Sequence, residues 1–93
     1  MSYLYLLFQS TGTTPVDQIK VGMLLEVQHT SDPNKFWIVR IVENVGGRLL
    51  LRYEGAKDAS NDFWLFYLHY RLKPVDDKKN HKPPKGIHMQ IWF

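Results

Sequence analysis

The sequence contains no cysteine among its 93 residues. Disulfide bonds and thiolate metal sites are therefore excluded, because both need cysteine sulfur. The absence is compatible with a reducing cytosolic or nuclear compartment. Long apolar runs are also missing. The apolar segment 1–8 is too short to cross a bilayer, and it lacks the basic start and cleavage site of a signal peptide. We therefore expect a soluble protein with no membrane partner.

Patterns typical of catalysis or metal binding are missing as well. The four histidines lack the spacing of metal ligands, and we expect them to be exposed: His29, His69, His81 and His88. Asp58 and Asp62 lie in a polar loop, where turn formation and capping explain them better than acid–base catalysis. No serine is paired with a general base, and Gly46-Gly47 is not followed by the remainder of a phosphate-binding loop. We predict no enzymatic activity, no metal ion and no cofactor.

Positive charge is concentrated in one part of the chain, whose net charge is +3. Residues 71–85 hold six basic and two acidic side chains, a local excess of +4, so the remainder has a net charge of −1. Such a segment attracts nucleic acid or acidic proteins weakly, non-specifically and in a salt-sensitive way. The candidate interaction surface consists of Arg71, Lys73, Lys78, Lys79 and Lys82. A solvated linker is the simpler interpretation, and we prefer it.

Composition divides the chain into three regions. Residues 1–18 form an aromatic and aliphatic arm, and residues 19–75 form the body. Residues 76–93 comprise a basic linker with two adjacent prolines, followed by a short apolar coda. The linker, residues 76–86, has almost nothing apolar to bury, and ordering it would cost about 1–2 kcal/mol per residue in backbone entropy. We therefore expect it to be mobile.

The body has the hydrophobic pattern of β-strands. Met23, Leu25 and Val27 recur at every second position, which is the period of a half-buried strand. Arg48–Tyr53 alternates in the same way. Phe36–Val42 is almost continuously apolar and β-branched, which is typical of a central strand. The three segments predict three strands.

A hairpin and a fourth strand complete the predicted fold. Gly46-Gly47 favours a tight hairpin, and Phe63–Tyr67 has the pattern of a short strand. We predict an all-β fold, a small bent barrel of four to five strands, with an N-terminal arm and a short helical turn near residues 68–72. Leu51 and Trp64 lie on the apolar phase of their strands and are expected in the core. Trp64→Ala would then cost about 3–5 kcal/mol.

Five short motifs follow one another in the body in a fixed order. They are Val21-Gly22-Met23-Leu24-Leu25-Glu26, Asp32-Pro33, Arg48-Leu49-Leu50-Leu51-Arg52-Tyr53-Glu54-Gly55, Asp62-Phe63-Trp64 and Pro74-Val75. Each motif is weak alone, but the order and spacing resemble the malignant brain tumour (MBT) repeat, a small SH3/Tudor-like barrel of chromatin proteins. Residues 43–53 and 64–68 are most similar to the second repeat of the Polycomb-group proteins called Scm-like with four MBT domains.

The resemblance implies a non-catalytic module of a nuclear transcriptional repressor that contains several such repeats. It also implies histone tails, other chromatin proteins and neighbouring MBT repeats as partners. In this family a binding-competent repeat traps mono- or dimethyl-lysine in a cage of one acidic residue and three aromatic rings. The π faces attract the methylated ammonium, and the acid accepts its remaining N–H.

The residues at the cage positions of this sequence are mostly of the wrong type. The positions are His29 for the acid and, for the rings, Tyr53, then Ala56 or Lys57, then Ser60 or Asn61. The loop after Tyr53 is one residue longer than usual in the family, which leaves two choices at each of the last two positions. One ring without an acid should not hold methyl-lysine, and Lys57 would repel a cation at close range. We therefore expect a degenerate cage and a structural or protein-interaction role.

Two alternatives from other functional classes stay open. A competent mono- or dimethyl-lysine reader of histone tails would need two further rings that face Tyr53. A nucleic-acid binder would need the basic residues on one ordered surface, with aromatic side chains as a stacking platform. The second alternative is the weaker one, because the barrel itself is not basic.

Overall fold

The computed structural model describes residues 15–87 and 89, so residues 1–14 of the predicted arm, His88 and residues 90–93 lie outside it. The described part contains five strands and two 3-10 turns: β1 (Leu24–Gln28), β2 (Phe36–Val45), β3 (Arg48–Tyr53), β4 (Phe63–Phe66), β5 (Leu72–Lys73), and the turns Pro15–Gln18 and Ala59–Asn61. No helix in this part has the length and apolar composition of a membrane span. The all-β prediction with four to five strands is confirmed.

The five strands form one antiparallel sheet in the order β4-β3-β2-β1-β5, curled into a half-barrel. The predicted hairpin is present: Gly46 and Gly47, with φ values of 60° and 95°, connect β2 to β3. A Cβ atom on Gly47 would lie 2.8 Å from Cδ1 of Tyr67. Glycine at this position therefore provides both the positive φ and the close approach of the hairpin to Tyr67, which follows β4.

A bulge in β2 bends the sheet. Ile41 pairs with Leu51, but the next pair joins Glu43 to Leu50, so Val42 is an extra residue on β2. An extra residue in one strand of an antiparallel pair bends that strand and increases its twist. The bend in the longest strand therefore favours the curling of the sheet around one apolar face.

The core consists of eight buried side chains: Ile19, Leu25, Val27, Val39, Ile41, Leu49, Leu51 and Leu72. They come from the inward-facing positions of β1, β2, β3 and β5 and from the segment before β1. Full burial of such a side chain contributes about 1.5–3 kcal/mol each. The predicted alternation on β3 and the core position of Leu51 are confirmed. On β1, Leu25 and Val27 are buried as predicted, but Glu26 between them is buried as well, so this strand is not half-buried.

The predicted core position of Trp64 is wrong. Trp64 is 51% exposed, and the inward-facing residues of β4 are its neighbours Phe63 and Leu65. Pairing with β3 decides this, because Phe63 lies opposite the buried Leu51 and shares its face. In a strand that is apolar at every position, periodicity does not choose the face, and a shift of one residue reverses every side chain.

The predicted helical turn near residues 68–72 is replaced by two successive reverse turns. The amide of His69 donates to the Phe66 carbonyl at 2.8 Å, and the amide of Leu72 donates to the His69 carbonyl at 3.0 Å. These bonds span three residues each and lead directly into β5. β5 then pairs with β1, with Leu72 opposite Val27.

The basic segment 76–86, expected to be a mobile linker, lies against β1 and β2 in the structure. The Phe36 amide donates to the Asn80 carbonyl at 3.1 Å, and the Lys82 amide donates to the Phe36 carbonyl at 2.9 Å. These two bonds form a parallel bridge between Phe36 and His81. The segment therefore has a backbone partner that composition does not reveal.

Glu26 of β1 explains why this segment returns to the sheet. Its side chain is fully buried, although alternation places it on the face opposite Leu25 and Val27. Oε1 lies 3.1 Å from Nζ of Lys79, and Oε2 lies 2.7 Å from Nε2 of His81. The expectation of an exposed His81 is therefore wrong, because this imidazole and Lys79 cover a buried carboxylate.

Candidate functional site

A cleft of about 810 Å³ opens at the end of the half-barrel where β1 and β3 finish. Its walls come from the loop after β1, the last residue of β3, the turns before β5 and residues 82–87. Side chains that line it include His29, Asp32, Tyr53, Phe63, Arg71 and Lys82. The predicted cage positions His29 and Tyr53 therefore meet in one cleft, although His29 lies in the loop after β1 and Tyr53 at the end of β3.

Tyr53, at the end of β3, forms the aromatic wall of the cleft together with Phe63. The two ring centroids are 5.0 Å apart with the planes tilted by 35°. Burial raises the pKa of the Tyr53 hydroxyl, and the charge and hydrogen bond of Arg71 act in the opposite direction without cancelling the rise. A cation of the chain itself, Arg71, therefore acts on the Tyr53 side chain in this cleft.

Arg71 is held in the cleft by main-chain contacts on both sides. Its Nε donates to the carbonyl of Gln28 at 2.9 Å, and the Gln28 amide donates to the Arg71 carbonyl at the same distance. The Arg71 amide donates to Nδ1 of His69 at 3.1 Å. The turns before β5 therefore position the guanidinium, which explains why the sequence pattern of β5 does not predict it as a cleft residue.

His29, which was predicted at the position of the cage acid, ties the loop after β1 to the basic segment. Its Nε2 lies 2.7 Å from the Lys82 carbonyl oxygen. Because a carbonyl only accepts, Nε2 carries the proton and donates. The His29 amide also donates to the Lys35 carbonyl at 2.9 Å, which closes the loop. His29 thus acts as a hydrogen-bond donor that links the loop after β1 to Lys82.

The other predicted cage positions do not line the cleft. Ala56, Lys57, Ser60 and Asn61 are absent from its walls. Ala56 instead forms a β-bridge with residue 89, and Lys57 and Ser60 are exposed. The Ala56 amide donates to the Tyr53 carbonyl at 3.0 Å, so Ala56 is close to Tyr53 in the turn after β3 without lining the cleft.

The polar residues of this loop have structural partners. Asp58 caps the 3-10 turn by accepting from the Ser60 amide at 2.9 Å, which confirms the capping role predicted for it. Asp62 receives two donors of Arg52, Nε at 2.9 Å and Nη2 at 2.8 Å. The hydrogen bond to Asp62 raises the pKa of Arg52, so the guanidinium remains charged. This pair holds the loop against β3.

Two cleft residues that the cage comparison missed are Phe63 and Asp32. The sequence signal for Phe63 was present, since an aromatic residue precedes Trp64, but the face of β4 was assigned in reverse. Asp32 lies in the loop after β1, where Oδ1 accepts from the Asn34 amide at 2.9 Å and Oδ2 is 3.7 Å from Nζ of Lys35. The motif Asp32-Pro33 identified it only as a turn residue.

The basic residues predicted as one interaction surface are distributed over three places. Arg71 and Lys82 line the cleft, whereas Lys79 pairs with the buried Glu26 and lies 4.3 Å from the ring centre of Phe36. Lys73 on β5 and Lys78 in the following segment are exposed. Within residues 15–87 and 89, no group of three or more histidine, cysteine or acidic side chains could hold a metal ion.

A second, shallower groove of about 550 Å³ lies at the β4 edge of the sheet. Its lining comprises Val45, Arg48, Trp64, Leu65 and Phe66. Trp64 and Phe66 are 51% and 48% exposed, which is unusual for side chains with so much apolar area. This groove is apolar, in contrast to the cleft beside Tyr53.

Comparison with known proteins agrees with this architecture. A model of the family described as "mbt repeat" matches residues 23–87, a range that includes the basic segment as well as all five strands. The chain is 45% identical over 82 residues to Scm-like with four MBT domains protein 2 of Mus musculus, an alignment that covers 83% of the chain. It is 50% identical over 58 residues, 61% of the chain, to Scm-like with four MBT domains protein 1 of Homo sapiens.

A more distant relative gives the same result. The chain is 31% identical over 86 residues, 88% of its length, to Polycomb protein SCMH1 of Homo sapiens. The aligned parts make up only 9%, 7% and 13% of the three relatives, so the chain spans a small fraction of their length. These relatives are non-catalytic nuclear proteins of chromatin, in agreement with the predicted non-enzymatic class. With the family match covering most of the chain, the protein belongs to the MBT repeat family.

Proposed function

We propose that this MBT repeat is a structural and protein-interaction module of a larger nuclear, chromatin-associated transcriptional repressor, with a degenerate methyl-lysine cage. Its partners would be neighbouring MBT repeats and other chromatin proteins, including histone tails contacted outside the cage. Sequence similarity favours the second repeat of an Scm-like protein with four MBT domains. Any contact with nucleic acid would be weak and non-specific.

The observation that supports a degenerate cage most directly is Arg71 beside Tyr53. A methylated ammonium that reached this ring would meet a guanidinium already present, and two like charges a few ångströms apart repel. His29, at the position of the acid, is engaged with the Lys82 carbonyl and offers no negative charge. The attraction that a cage uses is therefore replaced by repulsion.

The direct test is a titration of the protein with histone-tail peptides that contain mono- or dimethyl-lysine, followed by NMR. We expect no saturable chemical-shift change around Tyr53. Tyr53→Ala, which removes the remaining ring, should then leave the response to the peptides unchanged. Saturation at micromolar concentration that Tyr53→Ala abolishes would contradict the proposal.

One observation favours the second candidate, a competent methyl-lysine reader. The ring centroids of Phe63 and Tyr53 are 5.0 Å apart, and Asp32 lines the same cleft. Two aromatic rings and one carboxylate are therefore present there. Under this alternative, Phe63→Ala and Asp32→Asn should each abolish binding of the dimethylated peptide. Trp64→Ala is the matched control, because this adjacent aromatic side chain points out of the half-barrel.

A further inference from the structure

The cleft beside Tyr53 has an excess of positive charge. Four basic side chains line it, Lys35, Arg71, Lys82 and Lys85, against a single carboxylate, Asp32. Asp32 is 3.7 Å from Lys35 and compensates that charge. Among the residues that the structure describes, the other three basic groups have no carboxylate within 4.0 Å. The positive electrostatic potential of these three groups therefore favours an anionic ligand in the cleft.

The main chain at two of these cations, Arg71 and Lys82, is hydrogen-bonded to neighbouring segments. Arg71 exchanges hydrogen bonds with Gln28 through its side chain and backbone. Lys82 is fixed on both sides of its peptide, since its amide donates to Phe36 and its carbonyl accepts from His29. A ligand that pairs with these charges would not have to order the backbone, which lowers the entropic cost of binding.

We infer that this cleft binds an acidic peptide segment of a partner protein. Carboxylates of the peptide would pair with Arg71, Lys82 and Lys85, and its apolar atoms would contact Tyr53 and Phe63. A guanidinium is suited to carboxylates because its planar donors match their two oxygens. The inference rests on the proposed function, since it assigns an anionic ligand to a cleft that has lost its use as a cation cage.

The shape of the cleft favours a peptide over nucleic acid as the source of the negative charge. A volume of about 810 Å³ is of the size that holds a few residues or a small ligand. Pro83, Pro84 and Ile87 add apolar surface to its wall. Nucleic acid requires basic side chains along an extended surface, but Lys73 and Lys78 lie outside the cleft.

The probe is a capped hexaglutamate peptide, and hexaglutamine is the uncharged control. Titration at low ionic strength, followed by NMR, should give saturable shift changes at Tyr53, Arg71 and Lys82 with hexaglutamate only. Added salt should weaken the affinity, because two exposed lysines contribute to it. Equal responses to both peptides, or shift changes outside the cleft alone, would overturn the inference.

Two double variants with equal loss of charge test the location. Lys82→Gln combined with Lys85→Gln removes two cations of the cleft, and Lys57→Gln combined with Lys78→Gln removes two exposed cations elsewhere. We expect about tenfold weaker binding of hexaglutamate for the first pair and less than about twofold for the second. Thermal unfolding of both verifies that the fold is retained. Equal losses would show a net-charge effect and overturn the site.

Two further arms separate the possible failures. A DNA oligonucleotide that shifts the cleft resonances and displaces hexaglutamate would overturn the choice of a peptide in favour of nucleic acid. Saturable binding of a dimethyl-lysine histone peptide at Tyr53, without binding of hexaglutamate, would overturn the proposed function and this inference together. If neither peptide binds, the inference alone fails and the degenerate cage stands.

Discussion

The two sides of the sheet, the one near β1 and β5 and the one at the β4 edge, have different surfaces. On the β1 side, the basic segment folds back over the buried carboxylate of Glu26, and the adjoining cleft is rich in charge. At the β4 edge the neighbouring surface is apolar, with Trp64 and Phe66 about half exposed. Recognition at the first surface would depend on charge and on salt, whereas recognition at the second would depend on apolar area.

The two surfaces differ because a buried carboxylate on β1 needs polar partners, whereas the residues of β4 are all apolar. Burial of the Glu26 carboxylate is costly without polar partners, and the segment that supplies Lys79 and His81 as partners also closes this part of the half-barrel. β4 has no comparable buried charge. Its inner residue Phe63 packs on Tyr53 and β3, which leaves Trp64 to project outward. Apolar content alone does not bring a side chain into the core.

The largest expected effect is on the free energy of unfolding, and it comes from comparing the buried core residue Leu51 with the half-exposed Trp64 on the edge strand β4. Leu51→Ala should lower the free energy of unfolding by about 2–5 kcal/mol, because it removes a fully buried side chain from the core. Trp64→Ala should lower it by less than about 1 kcal/mol, since half of the side chain is already in solvent. Chemical denaturation followed by circular dichroism measures both without relying on tryptophan fluorescence.

Equal losses for these two variants would contradict the outward position of Trp64. The total stability of such a domain is roughly 5–15 kcal/mol, so the loss expected for Leu51→Ala is a large fraction of it and the loss expected for Trp64→Ala is a small one. A large loss for Trp64→Ala with little change for Leu51→Ala would mean that the inward and outward faces of both β3 and β4 are reversed.

A smaller effect is expected on the β1 side, where the basic segment is attached. Glu26→Gln should cost about 1–3 kcal/mol, because the amide leaves Lys79 and His81 without their carboxylate. Denaturant unfolding measures the loss. The matched control is Glu43→Gln, an exposed position on β2 where a change of less than about 0.5 kcal/mol is expected.

Hydrogen exchange adds a local measurement to the same variant. The Lys82 amide, which donates to Phe36, should exchange slowly in the unmodified protein and faster in Glu26→Gln. Rapid exchange of this amide in both proteins would show that residues 76–86 behave as the mobile linker that composition predicts.

The smallest expected effect concerns Tyr53 in the cleft. Burial raises its pKa, so the neutral hydroxyl is favoured in the folded state. The stability that this provides is present below the unfolded pKa, about 10, and is lost as the pH rises through the folded pKa. Arg71→Gln removes the opposing charge and hydrogen bond and should raise the pKa of Tyr53 further.

Ultraviolet absorbance of the tyrosinate measures this shift, and Tyr53→Phe identifies the step that belongs to Tyr53. An unchanged or lower pKa in Arg71→Gln would mean that the guanidinium does not act on the ring. That result would remove the main support for a degenerate cage, and with it the contrast between a charged cleft and an apolar edge.

Patterns within single segments predicted much of the fold but little of the site. The alternation of β3 and the Gly46-Gly47 hairpin were local signals, and the structure confirms them. The alternation of β1 is interrupted by the buried Glu26. Of the predicted cage positions, His29 and Tyr53 line one cleft, whereas Ala56 or Lys57 and Ser60 or Asn61, predicted for the remaining positions, do not line it. The cage comparison missed Arg71 and Phe63 because their roles depend on which strand lies opposite and where a turn ends.

Local patterns were enough to predict the all-β class and the succession of the main strands, and the order and spacing of the motifs were enough to predict the family, because all of these can be read along the chain. The position of the basic segment and the outward direction of Trp64 depend instead on how the chain folds. Glu26 and His81 are 55 residues apart, and no local pattern records that one buries the charge of the other. Long-range pairing reversed the face of β4 and placed Arg71 beside Tyr53, since a side chain's surroundings depend on residues distant in sequence.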